Sequence, residues 1–199
     1  MIIQPSAVTI LIESVENEEL PATLILCALA RKDASKATAM SKTTEDNKSL
    51  RDHLLSLVRG GNAHISFEDF IKDFPADKCG ERIEGLPYTA WQVLEHMRIA
   101  QRDILEFSRD AKHVSPKWPE GYWPAHDEVG NAELWYGSVD MFRSDLREVE
   151  DLIAKSATDL FARISHGSGQ TVLREALLVA DHNAYHLGVL VAIQRMLKK

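Results

Sequence analysis

The stretch ADHNAYHLG, Ala180–Gly188, sets His182 and His186 four residues apart inside a long apolar run. Residues four apart lie on one face of a helix, with Cβ atoms about 5–6 Å apart. Both imidazoles therefore point the same way if the run is helical. Two imidazoles in what otherwise reads as core are either packed and hydrogen-bonded or lack a third ligand and a cation.

The run around them is a helix pattern from about Thr171 to Leu197, opened by the turn SHGSG at Ser165–Gly169. One stripe holds Leu173, Leu177, Ala180, Ala184, Leu187 and Val191. The histidines fall elsewhere on the wheel, with Glu175, Leu178, Val189 and Ile193. A helix apolar on two sides is buried between neighbours, so one side is expected on the bundle and the other on a further helix or a second subunit.

Three more helical patterns precede it. The first runs from about Lys48 to Val58, breaks at Gly60-Gly61 and resumes as SFEDFIKDFP, with Ser66 and Asp69 as a capping box and Pro75 as the stop. The second starts after Pro87, with Thr89 and Gln92 as another capping box, and runs to Phe107. The third spans about Asn131 to Lys155, with Trp135, Val139, Phe142, Leu146, Val149 and Ile153 at three- and four-residue steps. Between the second and third lies SPKWPEGYWPAHDE, whose prolines forbid a regular helix. It predicts a long ordered loop, Ser115–Asp127, walling the histidine cleft or capping the bundle core. No alternating strand pattern appears, so the fold class is all-α, a four-helix bundle.

His96, in WQVLEHMRIAQ, is the candidate third ligand. It shares the apolar edge of its helix with Val93, Ala100 and Phe107, whereas Glu95, Arg98, Arg102 and Glu106 take the opposite, solvated side. His96, His182 and His186 thus make a possible three-histidine site for a divalent metal, with zinc, nickel and iron all suited to imidazole ligands. The competing reading is three hydrogen-bonded core histidines. His113, His126 and His166 read as solvated surface, while His64 could face the cleft mouth. Glu175 or Asp181 are candidate orienters of the imidazoles.

The bulk numbers exclude several partners. The chain has 199 residues with 45% hydrophobic and 27% charged, a globular balance, and a net charge of −7 that disfavours nucleic acid and anionic membranes. The apolar runs read as too short and interrupted to cross a bilayer. The N-terminus shows no secretory signal. Cys27 and Cys79 form no C-x-x-C pair, which fits a reducing cytoplasm.

Residues 1–39 are apolar but carry no capping pattern that ties them to the rest of the chain. Two readings stay open. Met40 and the polar SKTTEDNKS form a start and lead-in, which makes 1–39 an extension dispensable for the site and 40–199 the bundle domain. Alternatively, 1–39 form an extra helix docked on the bundle.

WQVLEHMRIAQRDIL followed by ADHNAYHLGVLV resembles the DinB-like superfamily, with its YfiT-type metal-dependent enzymes, and GGNAHISFEDFIKDFP and WPEGYWP resemble one of its subgroups. The resemblance covers about Lys48 to Lys199. It implies a DinB/YfiT-like four-helix bundle with an extra N-terminal segment. It also implies a divalent metal on His96, His182 and His186. One departure is Val189, where relatives often carry glutamine. Relatives include transferases that use low-molecular-weight thiols such as bacillithiol or mycothiol. The implied function is a metal-dependent enzyme, a transferase or hydrolase, that activates a thiol or water toward a small electrophile. The alternative is a non-catalytic metal- or ligand-binding bundle, induced by stress. A small-molecule substrate, a homodimer, and neither nucleic acid nor membrane are the expected partners.

Overall fold

The computed structural model describes residue 45 and residues 47–198. The boundary at residue 39, the status of Met40 and Cys27 lie outside the described residues. Helix α1 is described from 47 to 59, and is followed by α2 (Phe67–Asp73), α3 (Ala90–Arg109), α4 (Ala132–Ala154) and α5 (Val172–Leu197). Single 3-10 turns occupy Ala76–Lys78 and Glu120–Tyr122. No strand occurs among the described residues, so the all-α expectation holds.

Local chemistry sets the helix starts. Thr89 Oγ1 accepts from the Gln92 amide (3.2 Å), while Gln92 Oε1 accepts from the Thr89 amide (2.9 Å), a complete capping box. Asn131 and Thr171 accept from the Leu134 and Arg174 amides at 2.9 and 3.1 Å. At α2 the expected box is only half formed. Ser66 accepts from the Asp69 amide, but its hydroxyl then donates to the Asp69 carboxylate (2.7 Å). Aspartate is one methylene shorter than the glutamate or glutamine of a full box.

Helix α3 runs through the middle, against α4 on one side and α5 on the other. Trp135, Val139, Phe142, Val149 and Ile153 of α4 are buried, as their spacing predicts. Phe74 stacks on Trp135 at 4.2 Å and Phe67 meets Phe142 at 4.3 Å, so the short α2 segment closes one end of the core. Burying each such aromatic side chain contributes about 1.5–3 kcal/mol. Gly130, with φ of +86°, lets the chain pass Trp91, where a Cβ would come within 2.5 Å of the indole.

Two faces differ from the expectations. Glu95 and Arg98 are half-buried rather than solvated, while the Arg102 side chain stays 41% exposed but is paired. Glu95 accepts from Arg98 and from the Ser138 hydroxyl (2.7 Å), and Arg102 donates to Asp145 (3.0 Å). Complementary groups on α4 make this charged face packable. On α5 the core face is Val172, Ala176, Val179, Leu187, Leu190 and Leu197, while Leu177 is 45% exposed. Because α5 is apolar nearly all round, periodicity alone did not select the inner stripe.

Helix α5 also corrects the reading that every apolar run is too short to cross a bilayer, since by length and composition its 26 residues suffice. Core helices of bundles meet the same criterion. Here the helix buries Glu175 and Gln194 against protein.

Candidate metal centre

The three histidines predicted to converge do so. His96 projects from the second turn of α3, and His182 and His186 from successive turns of α5. His96 Nε2 lies 3.1 Å from His182 Nε2 and 3.2 Å from His186 Nε2. One ligand atom from each lies within 4.8 Å of the other two. His96 is buried, and the other two are half-buried.

The loop between α3 and α4 fixes His96. The Tyr122 carbonyl accepts from His96 Nδ1 at 2.8 Å. A carbonyl only accepts, so in the neutral ring the proton sits on Nδ1 and Nε2 presents its lone pair to the other histidines. Trp123 stacks on the same imidazole, with ring centroids 3.9 Å apart and planes 4° from parallel, and Tyr88 stacks on Trp123 at 4.7 Å. The loop from Ser115 to Asp127 thus walls the cleft, as one of its two readings expects. Trp118 stays 68% exposed.

Sequence reasoning missed the anchor of this loop. The Tyr122 hydroxyl donates to Asp103 Oδ2 (2.5 Å), and His113 Nε2 meets Asp103 Oδ1 (2.7 Å). His113, read as surface, is therefore half-buried and partnered. Asp103 lies seven residues after His96, two turns along the same helix face, which is the one signal that could have marked it. His126 and His166 are exposed, as expected. His64 is exposed at the mouth of a separate pocket rather than at the histidines. Neither candidate orienter reaches an imidazole. Glu175 is buried and accepts from Arg174 (2.8 Å), and Asp181 is exposed. Cys79 is buried, and burial pushes its thiol up to about 11, which makes it inert.

The electrostatics keep the trio neutral. Burial lowers all three histidines. His182 is held at about 4 by burial and then by His96, and His186 at about 3 by burial and then by His182 and His96. Neutral imidazole is the ligand form.

The donor set fits a divalent cation. One lone pair on His96 Nε2 cannot satisfy an N–H from both partners, and the buried Nδ1 atoms of His182 and His186 have no hydrogen-bond partner among the described residues. A cation uses all three Nε2 lone pairs at once. The 3.1 and 3.2 Å separations approach the edge of about 3.3 Å in a tetrahedron with arms of 2.0–2.1 Å.

No curated protein and no solved structure matches the chain. A family model described as the DinB superfamily matches residues 62–190, a span that contains the bundle from α2 into α5 and all three histidines. The chain belongs to the DinB superfamily.

Proposed function

We propose that His96, His182 and His186 hold a divalent metal and that the chain is a metal-dependent enzyme acting on a small electrophile. The observation that carries this reading is the convergence of three Nε2 atoms, with the His96 lone pair aimed at the others by the Tyr122 carbonyl. A bound cation supplies Lewis acidity, which makes a thiol or water nucleophilic at neutral pH. The chain's own residues then do three things. The histidines keep neutral rings at the centre, Trp123 shields one face of His96 from water, and exposed Trp118 offers a flat apolar surface to an organic substrate. Zinc, nickel and iron are the candidate metals, and a low-molecular-weight thiol is the candidate co-substrate.

The test is metal analysis of the purified protein, then a thiol-conjugation and hydrolysis screen with the metal restored. Stoichiometric metal with turnover in either assay supports the reading. Stoichiometric metal with no turnover leaves a binding protein and sinks the enzyme.

We further propose a cytoplasmic homodimer. Exposed Leu177, Tyr185 and Met196 on α5 support an association through that helix. Sedimentation at micromolar concentration tests it, and a monomer would refute it.

A further inference from the structure

The outer face of α5 carries a row of residues that complements itself. Asp181, Gly188 and Arg195 stand seven apart and are exposed. A seven-residue step drifts only about 20° round a helix, so the three form one nearly straight line. Exposed Leu177, Tyr185 and Met196 flank it.

The two charges are opposite in sign and equidistant from the glycine. Neither has an ion-pair partner among the described residues, whereas Arg174, the next charge on that side, already holds Glu175 at 2.8 Å. Gly188 lies in mid-helix, where glycine weakens the fold but admits a second backbone. A Cβ placed on it meets no atom within 4 Å, so nothing in the described chain requires the missing side chain. In a two-fold pair the same patch serves both copies. Two α5 helices crossing antiparallel at Gly188 set Asp181 of each copy beside Arg195 of the other. A parallel pair sets aspartate on aspartate and arginine on arginine.

We propose that α5 binds a second copy of this chain, antiparallel, with Gly188 at the crossing and an Asp181–Arg195 pair on each side of it. This pairing rests on the homodimer proposed above and gives its direction and register. A crossing near 20° lays the row on one helix along the row of its partner. The flanking apolar side chains lose water on both copies, which supplies the attraction. The charge pairs select the direction, since opposed like charges disfavour the parallel arrangement. His182 and His186 lie about 120° and 160° round the helix from Gly188, so the pairing uses none of the metal-binding side chains.

The experiment is sedimentation of the full chain over a concentration series, with circular dichroism confirming helix content. Asp181→Arg and Arg195→Asp each turn both pairs into like charges and should raise the dimer dissociation constant at least ten-fold. The double exchange Asp181→Arg/Arg195→Asp, and an equimolar mixture of the two single variants, restore opposite charges and should recover the wild-type value. A second readout does not depend on charge. An oxidised mixture of Asp181→Cys and Arg195→Cys should yield the 181–195 disulfide, identified by peptide mass mapping. Asp181→Cys alone should yield no 181–181 link, because those positions lie about 21 Å apart along an antiparallel pair. If a charge variant loses helix content, the cysteine mixture decides. A monomeric wild type overturns this pairing together with the homodimer. A wild-type dimer that withstands both single variants, or that forms the 181–181 link in place of the 181–195 link, overturns the pairing alone and leaves the homodimer standing.

Discussion

Tyr122 holds His96 with its backbone and Asp103 with its side chain. The carbonyl accepts from His96 Nδ1 at 2.8 Å, and the hydroxyl donates to Asp103 at 2.5 Å. Both partners lie on α3, so one loop residue is fastened twice to one helix. Burial pushes the Tyr122 hydroxyl up to about 12, with Asp103 adding to the effect, so it stays a donor at every working pH. The second fastening keeps the carbonyl where His96 needs it.

Loosening that fastening should weaken the metal without touching a ligand. Tyr122→Phe and Asp103→Asn are expected to lower metal affinity by up to roughly ten-fold, the low end of the cost of losing an outer partner of a ligating histidine, because the Tyr122 carbonyl itself is kept. Competition titration against a chromogenic chelator measures it, with circular dichroism confirming helix content. Unchanged affinity in both variants would show that the Tyr122 carbonyl holds its place on His96 without the side-chain fastening.

Removing a ligand should do more. His96→Ala, His182→Ala and His186→Ala should each bring the purified protein to less than about one-tenth of the wild-type metal content, since each supplies one of three donors. Chelator should lower the melting temperature of the wild type, because metal bound only to the folded chain stabilises it by mass action. The three variants should melt the same with or without chelator. A variant that keeps full metal content removes its histidine from the ligand set.

The metal-free protein should lose stability on mild acidification. His182 and His186 are held at about 4 and 3, His182 by burial and then His96, His186 by burial and then His182 and His96, below the value of about 6.5 for a free imidazole. Between those limits the unfolded chain takes up protons that the folded chain refuses. Their contribution is therefore complete above about pH 6.5 and declines as the pH falls toward 4. Urea midpoints in chelator from about pH 7.5 to 4.5 should show this fall, and the double variant His182→Ala/His186→Ala should show a shallower one. Parallel curves would assign the acid sensitivity to carboxylates elsewhere.

The reach of the sequence is set by the range of the interactions. Thr89 could be read as a cap, and Asn131 and Thr171 as helix starts, because a helix start is settled within four residues. The histidine pair could be read because four residues is one helical turn, and His96 because its apolar edge was clear. What escaped was non-local or degenerate. Asp103 finds Tyr122 and His113 only once the loop has folded back, so its spacing from His96 marks a face of α3 but not those partners. The inner stripe of α5 escaped for the opposite reason, too many apolar positions, which put exposed Leu177 in the core. The solvated reading of Glu95 failed because Ser138, more than forty residues away, supplies its partner, while Arg102 stays partly exposed and pairs with Asp145 across a similar distance.

Arg51 is the last such residue, and it makes a prediction about the fold itself. Its side chain leaves α1 and is 8% exposed. It donates to the carbonyls of Ile153 (2.5 Å), Lys155 (3.1 Å) and Thr158 (2.5 Å), where α4 ends. A helix C-terminus has carbonyls without intrahelical partners and a partial negative charge, and a guanidinium answers both. Arg51→Ala takes this donor away from all three carbonyls, of which that of Lys155 keeps the Thr158 amide (2.9 Å). Hydrogen bonds from a charged donor contribute about 1.5–3 kcal/mol. For a chain of this size that corresponds to a fall of roughly 4–10 °C in melting temperature. Arg51→Lys should recover only part of it, because one ammonium cannot reproduce the planar fork that spans three carbonyls. Metal affinity should not change, since none of the carbonyls that Arg51 holds belongs to the histidine cluster. Thermal melts and chelator titrations on the three proteins check this. A melting temperature for Arg51→Ala within about 1 °C of the wild type would mean that water replaces the guanidinium without cost.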